Sequence, residues 1–521
     1  MRLALSLGER RTLNGPPGTG RMKTLTALRP LSFLAMTTAL LWPGLQLGAT
    51  DDAAIFAFEG SRIRDGFMPY RDLWDSKPPG SFLLNAIGQV GLPWLDPWLV
   101  SWLLTLVFTF AALLLIDDLL RRRLSPGASW AWSLLCCIGI ACYPIGLGGG
   151  YTESFALLPL VAALWAIAVL PREWRTTAGI GLGLGCALLL SLQSLPAIGA
   201  LALVAVWNDG PASEWCRRAA ALVAGGIAVP LAVLVWLLVG GAGRDAVDQL
   251  LTYNAAYREA GGQLLVVMPI VILLLAWLAI PIGIQAVRLL RRPRSFGRVD
   301  WLCLAWCGAY ALYICYQGRI FLHYLILVVP PLILLGSQGT NWLWARVRSP
   351  NPNQRSLAIG LSVAGVGALM ISASLMLQWS SATLSQVTDD QRVVNATAGW
   401  IRANTSGAAT MHVWGSDAML YLDTQRPPAD RFVDDFPMVA SKYWTADRTN
   451  ALIADWRASP PTIIVEGPST APLFRPAIGG AAAGGIDQLS PLRDFVRAHY
   501  RLVISFGVHD AFDDVYLWVA A

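Results

Sequence analysis

Apolar stretches of roughly 17–25 residues, the length that carries a helix across a bilayer, recur along the chain as far as about residue 378 and then stop. Eleven segments follow this pattern: Leu31–Ala49, Pro97–Leu119, Ala128–Leu147, Ser154–Leu170, Thr177–Leu192, Leu195–Trp207, Ala219–Val239, Leu264–Leu289, Trp301–Tyr316, Ile320–Leu335 and Leu357–Leu377. Thr177–Leu192 and Leu195–Trp207 are short and read as an out-and-back pair or as one long broken helix. Arginine clusters fall after every second segment, at Arg121-Arg122-Arg123, Arg172 and Arg175, Arg217 and Arg218, Arg291 to Arg298, and Arg346 and Arg348. Together with the basic residues of the first thirty positions, they place one set of loops in the cytoplasm and the other set outside. Leu47-Gly48-Ala49 weakly resembles a signal-peptide cleavage site, but the spans that follow favour an uncleaved first helix.

Between the first two spans lies a dense polar stretch, Asp51–Gly80, reading DDAAIFAFEGSRIRDGFMPYRDLWDSKPPG. The apolar segment Ser81–Leu92 behind it is too short to span and predicts a helix in the outer interface, with Trp74, Trp94 and Trp98 at headgroup level. Beyond residue 378 the pattern changes to helix-like pieces (Asp389–Ala403, Pro491–Tyr500) and β-rich runs (Thr410–Trp414, Thr462–Val465, Leu502–Phe506, Val515–Val519). The expected fold is therefore mainly α: a polytopic membrane protein of about eleven transmembrane helices with interfacial helices in the first outer loop and a small C-terminal α/β domain. Its parts are a cytoplasmic tail (1–30), a membrane domain (31–378, with 51–96 as first outer loop) and an outer soluble domain (379–521).

Composition agrees with this division. Of 521 residues, 55% are hydrophobic and 14% charged, and mean hydropathy is +0.51, far more apolar than one soluble core requires. The net charge of +6 sits in short clusters between spans, which implies no nucleic-acid partner. All eight cysteines lie in apolar spans or beside basic loops, and Cys303 and Cys307, at i and i+4, read as packing residues.

The adjacent carboxylates Asp51 and Asp52 suit a general base, because like charge and partial burial raise the pKa of at least one; they equally suit the first turn of a helix. Lys77, ahead of Pro78-Pro79, sits on a stiff turn where a fixed cation can hold a lipid phosphate or snorkel. Glu153, just outside a span, suits a ligand hydroxyl or a divalent cation, or a helix cap. Arg319 and His323 are i, i+4, a spacing that puts both on one helix face. Tyr253, Asn254 and Tyr257 can line a cleft by hydrogen bonding or stacking, or belong to an interfacial aromatic belt. Gln193 and Glu59 read as structural, the latter paired with Arg62 on an exposed helix.

An outer acidic pair after the first span, an aromatic and basic loop, and a Lys-Pro element leading into an interfacial helix resemble the GT-C membrane glycosyltransferases that use polyprenyl-phosphate sugars, among them the protein O-mannosyltransferases and the aminoarabinose transferases. Gly149-Gly150-Tyr151-Thr152-Glu153, Tyr253-Asn254-Ala255-Ala256-Tyr257, Gly318-Arg319 with His323-Tyr324, and Val413-Trp414-Gly415 are similar to pieces of bacterial members. The resemblance implies Asp51 and Asp52 as the catalytic acids, Asp51 being the base. It implies Lys77, with Arg319 and His323, at the donor phosphate, and Glu153, Tyr253, Asn254 and Tyr257 toward substrate or acceptor. A divalent cation on Asp51, Asp52 and Glu153 is left open. One departure is that Ala53 and Ala54 stand where aminoarabinose transferases carry an Arg. The implied protein is an inverting transferase in the bacterial cytoplasmic membrane, with its N-terminus inside and C-terminal domain outside. Its partners are a polyprenyl-phosphate-linked sugar, membrane lipids and a protein, lipid or glycan acceptor. A transporter or flippase of a lipid-linked or anionic substrate is the alternative, but the spans carry few ionisable residues away from their ends.

Overall fold

The structure, a computed structural model, describes residues 19–207, 211–257, 262–415, 417–439, 442–467, 473–474, 487–506 and 515–521, without the side chains of 19–27, 51, 262–266 and 487. The tail expected over residues 1–30 lies mostly outside the described residues. All eleven expected segments are helical. Among the described residues, seven helices are long and apolar enough to cross a membrane: Pro97–Arg121, Thr152–Val169, Ala212–Val239, Val267–Arg291, Arg298–Gln317, Leu322–Val347 and Pro352–Asn404. An eighth span arises if Leu28–Leu47 and Asp52–Arg64, bent by 76° from one another, are taken together. The shorter apolar helices are Pro126–Ala141, Trp174–Leu190 and Leu192–Val206. The expected segment Ala128–Leu147 ends early because Pro144 has no N–H to offer the Ile140 carbonyl; Cys142 is extended and a short helix Tyr143–Gly146 follows.

Basic residues gather at one end of the bundle. Arg29 pairs with Asp117 at 2.6 Å, Arg123 pairs with Asp300, Arg218 donates to the Arg172 carbonyl and Arg298 to that of Val204. At the opposite end Ser191 meets Glu153, and Gln193 meets Tyr324. Trp174–Leu190 and Leu195–Val206 are thus an out-and-back pair: Ser191 lies at the end away from the arginines and Val204 at theirs.

The helix Pro352–Asn404 is continuous for 53 residues, about 80 Å at 1.5 Å per residue. No proline follows Pro352 within it, so the expected helices Leu357–Leu377 and Asp389–Ala403 are one rod that crosses the expected boundary at 378/379. Its first half exposes Leu357, Val363, Val366, Met370 and Leu377, as a lipid-facing helix does, and its last turns bury Val394, Ala398 and Ile401 against the soluble domain. Among its described residues that domain has one sheet, β1 (Met411–Trp414), β2 (Ile463–Glu466), β3 (Tyr500–Phe506) and β4 (Val515–Ala520), in the order β1-β2-β4-β3. β1 and β2 are parallel, with Met411 opposite Ile463; β4 is antiparallel to both its neighbours. Alternation sorts the side chains. Val413, Val465 and Leu517 join the core continuous with the bundle, while Trp414, Ile464 and Trp518 pack with Trp456, Leu492 and Val496. Phe58 stacks on Tyr421 with ring centroids 4.9 Å apart, which seats the soluble domain on the helix Asp51–Arg64.

Candidate active site

The two ends of the polar stretch after the first span meet. The helix Asp51–Arg64 starts behind an extended Thr50, so its acids occupy the first turn, where the helix dipole favours negative charge. Gly150 determines how closely this turn packs: its φ is +86°, and a Cβ there would lie 2.6 Å from that of Ala53. Ala53 and Ala54 are accordingly buried, with no room for a long side chain at Ala53. Thr50 Oγ1 and the Tyr151 hydroxyl, 2.8 Å apart, fasten the same junction.

Lys77 Nζ donates to Asp52 Oδ2 at 2.9 Å and lies 5.1 Å from the centre of the Phe56 ring. Burial acts to raise the Asp52 carboxyl, but the Lys77 ammonium overrides it and holds the group below the usual carboxylate value. Burial likewise acts to lower Lys77, and Asp52, Asp75 and Glu153 together push it up. Both partners are charged at neutral pH. The Asp51 side chain lies outside the described residues.

Glu153, 2% exposed, opens the helix Thr152–Val169 and accepts from Ser191 Oγ at 3.1 Å. Gly80 brings the Lys-Pro element to the same place, since a Cβ there would sit 2.4 Å from the Leu189 carbonyl oxygen, two residues before Ser191. His323 stacks with Tyr151 at 4.5 Å and with Phe321 at 5.6 Å, and Asp52, Lys77 and Glu153 are its charged neighbours. Gln193 Nε2 donates to the Tyr324 hydroxyl at 3.0 Å. Asp52, Lys77, Glu153 and His323 therefore share one charged site at the end of the bundle that carries the soluble domain. Among the described residues, no group of three or more His, Cys, Asp or Glu side chains is placed to hold a metal ion.

Arg319 and His323 do not share a helix. Gly318, at φ +68°, closes the helix Arg298–Gln317, and a new turn starts only at Leu322. Arg319 instead lies with Cζ 4.0 Å from the centre of the Tyr257 ring, a cation–π contact. Tyr253 is 3% exposed and makes edge contacts with Trp74 and Tyr443. Asn254 donates to the Ser76 carbonyl at 2.8 Å. Of the tryptophans expected at headgroup level, only Trp94 is exposed, at 74%; Trp74 is covered by Tyr443, and Trp98 donates to the Gly44 carbonyl.

Two further acids are buried near this site, Glu59, which is not on an exposed helix face as expected, and Asp75. Glu59 is 2% exposed and makes no pair with Arg62, which bonds Asp65 at 3.2 Å. It lies on the helix face of Phe56 and Ile63, at i−3 and i+4, a spacing that marks it as inward-facing. Asp75 accepts from the Lys77 N–H at 2.5 Å. Burial pushes Asp75 up to about 6 against the opposing pull of Lys77. Burial, then the charges of Asp75 and Asp434, raise Glu59 well above the usual range.

No protein-family model matches the sequence, and no curated protein matches it significantly. Solved structures do match. ArnT from Cupriavidus metallidurans in the apo state is 15% identical with a TM-score of 0.57, and the match covers 96% of this chain and 98% of that one. The same protein bound to undecaprenyl phosphate gives 0.55 at the same identity and coverage. The Archaeoglobus fulgidus oligosaccharyltransferase in its apo form is 12% identical with a TM-score of 0.52, over 94% of this chain and 74% of that one. The chain is a polytopic membrane protein with the GT-C glycosyltransferase fold.

Proposed function

We propose that this protein is an inverting glycosyltransferase that moves a sugar from a polyprenyl-phosphate donor to an acceptor hydroxyl or similar group at the outer face of the bacterial cytoplasmic membrane. The carrying observation is the Lys77–Asp52 pair, with Glu153 and His323 beside it, in a fold whose neighbour ArnT has been crystallised with undecaprenyl phosphate. The positive-inside rule puts the arginine end in the cytoplasm, and hence this site and the soluble domain outside.

In this reading the donor's tail stays in lipid and its phosphate meets Lys77, with His323 and Arg319 flanking. The acceptor oxygen attacks the anomeric carbon as the bond from that carbon to the phosphate oxygen breaks. The bonding pair leaves with the polyprenyl phosphate, and the acceptor proton passes to Asp51, the base of the Asp51–Asp52 pair. Charge accumulates on the departing phosphate, so a preorganised ammonium and the fixed placement of both reactants supply most of the acceleration. Glu153, held by Ser191, takes a hydroxyl of the sugar or of the acceptor. The test is transfer by the purified protein from polyprenyl-phosphate sugars extracted from its host. Asp51→Asn and Asp52→Asn should each lower the rate, and unchanged transfer by both folded variants would remove the acidic pair from the mechanism.

A further inference from the structure

Lysine is a poor anchor unless its backbone is fixed, because four methylenes let the ammonium wander. The backbone around Lys77 is held from another part of the chain. The segment Asp248–Tyr253 is a π-helical turn, a form common at functional sites, and it presents Gln249 at 1% exposure to the first outer loop. Gln249 Oε1 accepts from the Asp75 N–H at 3.0 Å, and its Nε2 donates to the Tyr70 carbonyl at 2.8 Å. One side chain thus joins the two sides of the Tyr70–Asp75 loop. Glutamate lacks the donor, lysine lacks the acceptor and asparagine is one methylene shorter.

Tyr70 carries the constraint onward. It is fully buried and left-handed at φ 67°, a conformation that non-glycine residues rarely hold unless their surroundings impose it. Its carbonyl also accepts from Arg431 of the soluble domain, and its hydroxyl donates to the Lys77 carbonyl at 2.8 Å. Asn254 adds its bond to Ser76, and Pro78 stiffens the far side.

We infer that Gln249 is a positioning residue for donor-phosphate binding, fixing the Lys77 backbone through Tyr70 and Asp75 so that the ammonium is presented at one place. This rests on the proposed function for the identity of the anion. It makes the helical segment 243–257 part of the machinery without requiring it to touch the donor.

The test is a double-mutant cycle on the full-length protein in nanodiscs, with undecaprenyl phosphate as the probe and its Kd as the readout. Lys77→Ala should weaken binding at least tenfold. Gln249→Met, which keeps the volume and removes both bonds, should weaken it about tenfold. The double variant should bind within about twofold of Lys77→Ala, because a positioning residue loses its effect once the group it positions is gone. Effects that multiply in the double variant, or wild-type affinity in Gln249→Met, overturn the inference. Wild-type affinity in Lys77→Ala instead overturns the functional reading beneath it. Should Gln249→Met not fold, Tyr70→Phe removes only the hydroxyl's bond to Lys77 and enters the same cycle with the same expected and contrary results.

Discussion

Asp52 and Lys77 are 25 positions apart in the chain and 2.9 Å apart in space, and they close the first outer loop on itself. The pair separates the proposed donor and acceptor roles by charge. Lys77→Met removes the cation and leaves Asp52 partly buried without its ion-pair partner, so transfer should fall at least 100-fold, chiefly through the donor KM. Asp52→Asn should lower kcat by about 100-fold with a smaller change in donor KM. Initial rates at varied donor concentration separate the two, and the same KM effect from both would contradict the division.

Asp75 ties ionisation to stability. Its carboxyl is raised by burial from about 3.8 to about 6, so between those values the folded protein holds a proton that the unfolded chain has released. Stability from this group is therefore full below about pH 4 and lost as pH rises through about 6. Asp75→Asn keeps an acceptor for the Lys77 N–H and cannot ionise. It should raise the unfolding midpoint in detergent at pH 7.5 by about 2–5 °C and flatten the decline between pH 4 and 6. A variant as pH-sensitive as the wild type would place that decline elsewhere.

Gly150→Ala combines a strained φ with a contact that cannot be accommodated, 2.6 Å to the Cβ of Ala53. The expected cost is on the order of 1–3 kcal/mol. Because the helix bearing Asp52 must shift, activity per folded molecule should fall as well. Thermal unfolding and a specific rate corrected for folded fraction measure the two effects, and a loss of stability with an unchanged specific rate would show that the contact does not position Asp52.

Much of this was legible in the sequence, and for identifiable reasons. Hydrophobic period and arginine spacing marked all eleven helical segments, since lipid imposes length and charge side on every span. The four strands lie within a residue or two of their expected positions because β-branched runs stand out against a polar background. Lys77 and Asp52 were recognisable as candidates from residue type and their place beside the first span. Their direct contact was not, because nothing local reports a fold-back of 25 residues. Glu59 was misjudged because Arg62 offered a near partner in sequence, while the helix turns Glu59 toward Phe56's side. Arg319 and His323 looked like a helical pair until Gly318 ended the helix between them and the span before. Gln249 had no signal at all: its role depends on a π-helical turn and on a loop 174 positions away, and neither leaves a motif.

The most direct measurement is mass spectrometry of the lipid extract and envelope glycans from a host lacking this gene, carrying the wild type, or carrying Asp51→Asn with Asp52→Asn. Without the protein, one polyprenyl-phosphate sugar should accumulate and one glycan modification should disappear. The wild type should reverse both, and the double variant, present in the membrane at wild-type level, should reverse neither. Restoration of both by the double variant, or an unchanged lipid and glycan profile on deletion, would contradict sugar transfer by this site.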